Sequence, residues 1–235
     1  RMGEKKMRYD IIFWDVDGTL LDFAYSEHYA ITEALRSIGV EPTEELTARY
    51  SVINDGWWKR LEKGEVTKEQ LLKGRFFDLF AEYGIKCGDL EAFRLHFQTC
   101  LGSVFRYMDG APEICKRLQG KVRQCVVTNG VTGTQRNKLE LSGLAALMDD
   151  IFISEQIGAP KPDPVFFERV FSRLPQTDRR RVLIVGDSLT SDMLGGLNAG
   201  IHTCWYNPDG KKNDGNIRTD YEIRDLREVA RIAEG

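Results

Sequence analysis

The chain has 235 residues, of which 42% are hydrophobic and 29% charged, with a net charge of −3. That is ordinary for a globular protein and long enough for a large α/β domain or for a core domain carrying an insertion. Lysines and arginines are dispersed, which speaks against a nucleic-acid polymer or a membrane surface as main partner.

The first element is the run Ile11-Ile12-Phe13-Trp14, followed by Asp15-Val16-Asp17-Gly18-Thr19-Leu20. A continuous apolar run ending in acids and a glycine reads as a buried strand that delivers carboxylates to a turn. Asp15 is placed at the strand tip and Asp17 on the curve. Two anions about 5 Å apart repel by roughly 3 kcal/mol at an effective dielectric of about 20, so a cation is required nearby.

From about Ala24 to Leu101 the periodicity is helical. Tyr29, Ile31, Ala34, Leu35 and Ile38 form one stripe that stops at Gly39. Thr67-Lys68-Glu69-Gln70 is a capping box opening a helix through Leu71, Phe76, Leu79 and Tyr83, closed by Gly84. Asp89 caps a third helix carrying Leu90, Phe93, Phe97 and Leu101.

An α/β rhythm returns after Met108. Asp109 and Pro112 start a helix to Leu118, and a strand over Val122 to Thr128 ends in Thr128-Asn129-Gly130. A helix through Leu139 and Leu141 follows, then a short strand over Ile151 to Ile153 and a helix opened by Asp163-Pro164. The strand Val182 to Val185 ends in Gly186-Asp187. A helix over Asp192 to Asn198, a strand over Thr203 to Tyr206, a polar loop over Asn207 to Thr219 and a helix over Asp225 to Ala233 complete the pattern. Arg179-Arg180-Arg181 reads as a solvated loop.

Strands alternating with helices imply a doubly wound parallel sheet, with ligands bound beyond the C-terminal ends of its strands. The expected organisation is a discontinuous α/β core over 8–22 and 104–235, interrupted by an all-helical domain over 23–103. Three strands shed their apolar character at the same end, into Asp15 and Asp17, Thr128 and Asn129, and Asp187. The five cysteines are odd in number and lack a Cys-x-x-Cys spacing, which reads as reduced thiols. His28, His96 and His202 form no ligand pattern. No stretch reaches transmembrane length and no signal-like apolar core opens the chain, so a cytoplasmic protein is expected.

Asp15-Val16-Asp17-Gly18-Thr19, Thr128-Asn129-Gly130, Lys161-Pro162 and Gly186-Asp187-Ser188 through Asp192, in that order, resemble the four motifs of the haloacid dehalogenase-like (HAD) hydrolase superfamily. The resemblance covers Ile11 to about Tyr206, and the helical insert resembles a C1-type cap. It implies a Rossmann-like core and phosphoryl chemistry with Mg2+ as cofactor. Asp15 would be the nucleophile, and Asp17 the acid that protonates the leaving group and later activates water. Thr128, with Asn129 and Gly130, would hold phosphoryl oxygens, and Lys161 would be the fixed cation. Asp15, the Asp17 carbonyl and Asp187 are the implied metal ligands, with Asp192 behind them. The cap would close over the site, with hinges near Leu21–Ala24 and Leu101–Met108.

Asp17 separates this chain from the dehalogenases, which resemblance would leave without an acid at that position. The run from Gly186 to Gly200, Thr203 to Asn207, Ile153-Ser154-Glu155 and the stretch Trp58 to Phe76 are similar to the bacterial pyrimidine 5′-nucleotidase branch, implying a small phosphate ester such as a nucleoside monophosphate. A sugar-phosphate phosphatase or a phosphomutase uses the same core residues. From another class, a receiver-like phosphoacceptor also combines acids, Mg2+, Thr and Lys. A monomer or weak homo-oligomer is expected. In the insert, Trp57 and Trp58 could stack on a base and Lys59, Arg60 or Arg75 could contact sugar or phosphate, although helix-borne aromatics more often serve cores.

Overall fold

The computed structural model describes residues 7–235, which form two units: Phe23–Phe105, and the segments before and after it. The first is built on α1 (Phe23–Ser37), α2 (Glu44–Glu62), α3 (Lys68–Tyr83) and α4 (Leu90–Ser103). Side chains fix the helix starts. The Thr43 hydroxyl accepts from Leu46 N at 3.3 Å ahead of α2, and Asp89 accepts from Ala92 N at 3.0 Å ahead of α4. Ahead of α3, Gln70 N donates to Thr67 Oγ1 at 3.2 Å while Thr67 N donates to Gln70 Oε1 at 2.8 Å, the reciprocal capping box read from the sequence. The sequence reading has no separate α2. Its buried face includes Thr47 and Asn54 beside Leu46, Tyr50 and Leu61, so its apolar stripe is interrupted.

The interior of this unit is aromatic. Tyr50 stacks on Phe76 with centroids 5.5 Å apart, and Phe97 meets Phe76 edge-on at 5.1 Å; such pairs add about 0.5–1.5 kcal/mol each beyond their buried area. A polar chain runs through it. Buried Glu27 accepts from Ser51 Oγ and Asn54 Nδ2, both at 2.6 Å, and Asn54 Oδ1 accepts from Arg75 Nη1 at 2.9 Å. Arg75 is fully buried over the Phe76 and Phe97 rings. Trp57 Nε1 donates to Asp78, and cations cover both tryptophans, Arg60 over Trp57 and Lys68 over Trp58. These residues are therefore engaged within their own unit.

The second unit is a six-stranded parallel sheet of β1 (Ile11–Trp14), β2 (Arg123–Thr128), β3 (Asp150–Ile153), β4 (Val182–Gly186), β5 (His202–Tyr206) and β6 (Tyr221–Ile223), in the order β3-β2-β1-β4-β5-β6. Around it lie α5 (Ala111–Leu118), α6 (Thr132–Leu141), α7 (Ser154–Ile157), α8 (Pro164–Phe171), α9 (Leu194–Ala199) and α10 (Glu228–Glu234). Every residue of β1 is buried, as its unbroken apolar run requires of a central strand. Phe13 packs with Val127, Ile184 and the α8 residues Phe166, Phe167 and Val170. Trp14 points to the opposite face and donates to Gln124 Oε1 at 3.1 Å. Among the described residues no helix is long and apolar enough to cross a membrane.

Four local expectations are corrected. Asp109 does not cap α5; Gly110 precedes the helix and Asp109 pairs with Arg227 at 2.8 Å. The helix expected from Asp192 begins earlier, as a π-helical turn over Leu189–Met193 capped by Ser188, and continues as α9. The last helix starts at Glu228 because the Asp225 carboxylate turns back to accept from Arg227 N at 2.9 Å. Strand β6 went unread because three residues are too few to display an alternation.

Candidate active site

The parallel register brings the strand tips to one end. Trp14 pairs with Val126 of β2 on one side and with Val185 of β4 on the other. The residues that follow, Asp15, Thr128 and Asp187, therefore emerge together. Asp15 N still donates to Val185 O at 3.0 Å, and the chain then folds sharply, with Val16 O accepting from Leu20 N and Leu21 N at 2.9 Å. Gly18 sits at φ +90°, and a Cβ there would lie 2.6 Å from Asp187 Oδ2. Only glycine makes this turn and leaves that space.

At the centre is Lys161, whose side chain is 1% exposed. Its ammonium donates to Asp15 Oδ1 at 2.8 Å, Asp192 Oδ1 at 2.6 Å and Val127 O at 2.7 Å. Asp15, Asp187 and Asp192 each offer an oxygen within 4.8 Å of the others. Asp192, expected behind the ligands, thus lies in the same carboxylate group, carried there by the π-helical turn and held by Ser188 N at 3.2 Å. Asp187 accepts from the Thr19 hydroxyl at 3.3 Å, and its carbonyl accepts from Trp205 Nε1 at 2.9 Å.

Lys161 bonds two of the three acids, Asp15 and Asp192. Burial pushes Asp15 well up, with Asp192 and Asp187 adding to the rise and Lys161 opposing it. Burial and then Asp192 push Asp187 up to about 7. Burial works against the Lys161 charge, but Asp15 and Asp192 outweigh it and hold its pKa above the ordinary value. A cluster of carboxylate oxygens short of positive charge, in a cradle kept open by Gly18, suits a hard divalent cation such as Mg2+.

Two of the predicted residues are held by partners that no local pattern marks. The Asn129 amide was expected at a phosphoryl group. Its Oδ1 accepts from Lys161 N at 2.8 Å, and its Nδ2 donates to Lys161 O at 2.8 Å and Ser191 Oγ at 3.3 Å, so it clamps the lysine backbone. The Asp17 carboxylate turns to α6, where its Oδ2 accepts from Gln135 Nε2 at 2.6 Å and its Oδ1 pairs with Lys138 Nζ. Thr128 is buried and its Oγ1 accepts from Gly130 N at 3.1 Å.

The sequence reading missed Thr19, Gln135, Lys138, Ser191 and Trp205 as participants. The signal available was on α6, whose buried face is mainly polar: Thr134, Gln135, Lys138 and Leu139. A helix that buries a lysine and a glutamine three residues apart faces something charged.

The chain is similar to known proteins over most of its length. YfnB of Bacillus subtilis, described as a HAD-hydrolase, is 39% identical over 96% of this chain and 95% of its own. Its magnesium-bound crystal structure superposes with a TM-score of 0.90 across 96% of this chain and 98% of that one. The pyrimidine 5′-nucleotidases PynA of Streptococcus pneumoniae and YjjG of Escherichia coli are 35% and 30% identical, covering 92% and 96% of this chain and 92% and 98% of theirs. The family model for haloacid dehalogenase-like hydrolases matches residues 9–200, spanning β1 to β4 and the strand ends that carry Asp15, Thr128 and Asp187. With Asp15, Thr128 and Asp187 at the C-terminal ends of neighbouring strands, Lys161 bonded to Asp15, and that match over most of its length, the chain belongs to the haloacid dehalogenase-like hydrolases.

Proposed function

We propose that this hydrolase is a Mg2+-dependent phosphatase that cleaves a nucleoside 5′-monophosphate, a pyrimidine nucleotide first of all, through an aspartyl-phosphate on Asp15. The observation that carries the reading is Lys161, buried between Asp15 and Asp192 with Asp187 alongside. Such a group is costly to fold unless it is used. The relatives' names support the substrate class.

In the first half of the reaction an Asp15 oxygen attacks phosphorus. The ester P–O bond breaks, its electron pair goes to the departing oxygen, and that oxygen takes a proton from Asp17. In the second half, water attacks the phosphorus of the aspartyl-phosphate and gives its proton to Asp17. The bond to Asp15 breaks, its electrons return to the carboxylate and inorganic phosphate leaves. Lys161 fixes the direction of Asp15 and offsets its charge. The Thr128 hydroxyl, whose oxygen accepts from Gly130 N, has its own O–H to donate to a phosphoryl oxygen. Asp15, Asp187 and the Asp17 carbonyl would hold Mg2+, with Asp192 beside them, and the bound ion supplies the charge that lets the acids ionise together while the phosphoryl anion approaches.

The test is phosphate release from pyrimidine nucleotides, purine nucleotides and sugar phosphates, with Mg2+ and with EDTA, by the parent and Asp15→Asn. Release should be greatest from pyrimidine nucleoside monophosphates and should vanish in EDTA and in the variant. Turnover by either the chelated enzyme or Asp15→Asn would overturn the mechanism. A preference for sugar phosphates would overturn the substrate class.

A further inference from the structure

The geometry points to Lys138 and Gln135 of α6 as positioning residues that hold the Asp17 carboxylate in its working direction. The inference rests on the reading of Asp17 as the proton donor and acceptor.

Each oxygen of Asp17 has one donor on α6. Lys138 Nζ is on Oδ1, and Gln135 Nε2 is on Oδ2 at 2.6 Å. A carboxylate oxygen has two lone-pair sites, so this arrangement fixes the plane of the group and leaves a second site on each oxygen for a leaving group or a water. Asp17 itself sits on a turn, one residue before Gly18, with its backbone bridged to Leu21. The direction comes from a helix more than a hundred residues away in sequence.

Three features say that the arrangement is built. The Lys138 side chain is 0% exposed, although lysine is among the residues least often buried, and its ammonium meets an acid that is 23% exposed. Gln135 is also buried, and its Oε1 has no hydrogen-bond partner. Finally, a Cβ on Gly130 would lie 2.2 Å from Gln135 Nε2 and 2.6 Å from its Cδ and Cγ. The glycine in the Thr128-Asn129-Gly130 motif clears the space through which Gln135 reaches Asp17.

Two lysines therefore divide the acid pair, Lys161 on Asp15 and Lys138 on Asp17. Lys161 directs the attacking oxygen. Lys138, with Gln135, directs the group that hands a proton over and takes one back.

The test is Lys138→Met and Gln135→Met, each assayed on an alkyl phosphate and on p-nitrophenyl phosphate, alone and in the Asp17→Asn background, with melting curves for every protein. Both variants should lose about 10- to 100-fold in kcat on the alkyl ester with KM within about twofold. Phosphorylation from p-nitrophenyl phosphate, read as the pre-steady-state burst, should suffer less because that leaving group departs unprotonated. Lys138→Arg should restore part of the loss. In Asp17→Asn, neither substitution should cause a further fall. A Lys138→Met or Gln135→Met enzyme that melts normally and retains full kcat overturns the inference, and so does an equal additional loss in the Asp17→Asn background. If Lys138→Met does not fold, Gln135→Met decides the question alone. Full activity in Asp17→Asn itself would instead sink the acid–base reading of Asp17, a separate result.

Discussion

Replacing Lys161 by methionine keeps most of the side chain and deletes its charge. In the folded core that ammonium touches Asp15, Asp192 and the Val127 carbonyl at 2.6–2.8 Å. Without it, three acids face one another with oxygens within 4.8 Å. At an effective dielectric of about 20, each ionised pair at that spacing repels by roughly 3–4 kcal/mol. Protonation relieves part of this, because Asp15 and Asp187 already hold their protons more tightly than free carboxyls do. What remains matches the cost of removing one partner of a buried ion pair, about 3–5 kcal/mol. The metal-free Lys161→Met protein should therefore melt roughly 6–20 °C below the parent. The assay is thermal and urea unfolding in EDTA, followed by circular dichroism. Adding Asp192→Asn should return part of the loss by removing one of the stranded anions. A Lys161→Met protein that melts within about 1 °C of the parent would refute the reasoning, since it would mean the acids do not need that cation.

Gly18→Ala forces a Cβ to 2.6 Å from Asp187 Oδ2 at a positive φ, so it should cost about 1–3 kcal/mol in stability and raise the Mg2+ concentration for half-maximal activity; an unchanged Mg2+ titration would count against the cradle. In the helical unit, burial raises the Glu27 carboxyl above its ordinary value, with Asp55 adding to it and with Ser51, Asn54 and Arg75 opposing. The folded state therefore holds this proton after the unfolded chain has lost it, so the Glu27 contribution to stability falls as pH rises from about 4 through the folded pKa and is level above it. Glu27→Gln should flatten that part of the melting-temperature profile, and a profile identical to the parent's would exclude Glu27 as its source. Thr67→Ala removes half of the α3 capping box and should lower stability by about 0.5–2 kcal/mol without altering Mg2+-dependent turnover.

The alternation of strand and helix, the parallel sheet, the helical insert and the caps that open α3 and α4 were determined by the sequence alone. Apolar periodicity and capping chemistry are local properties, and Ile11–Trp14 or Thr67–Gln70 carry them within a few residues. Because parallel strands end on the same side, the meeting of Asp15, Thr128 and Asp187 could also be read before any coordinates. The tertiary structure decided who neutralises whom. Lys161 reaches Asp15 across 146 positions and Lys138 reaches Asp17 across 121, and no local pattern records either pairing. It also set the Asn129 amide against the Lys161 backbone and carried Asp192 into the acid cluster on a π-helical turn that periodicity reads as ordinary helix. Charge partners are chosen by three-dimensional proximity in a dry interior, where an ammonium must find a carboxylate whatever the distance along the chain.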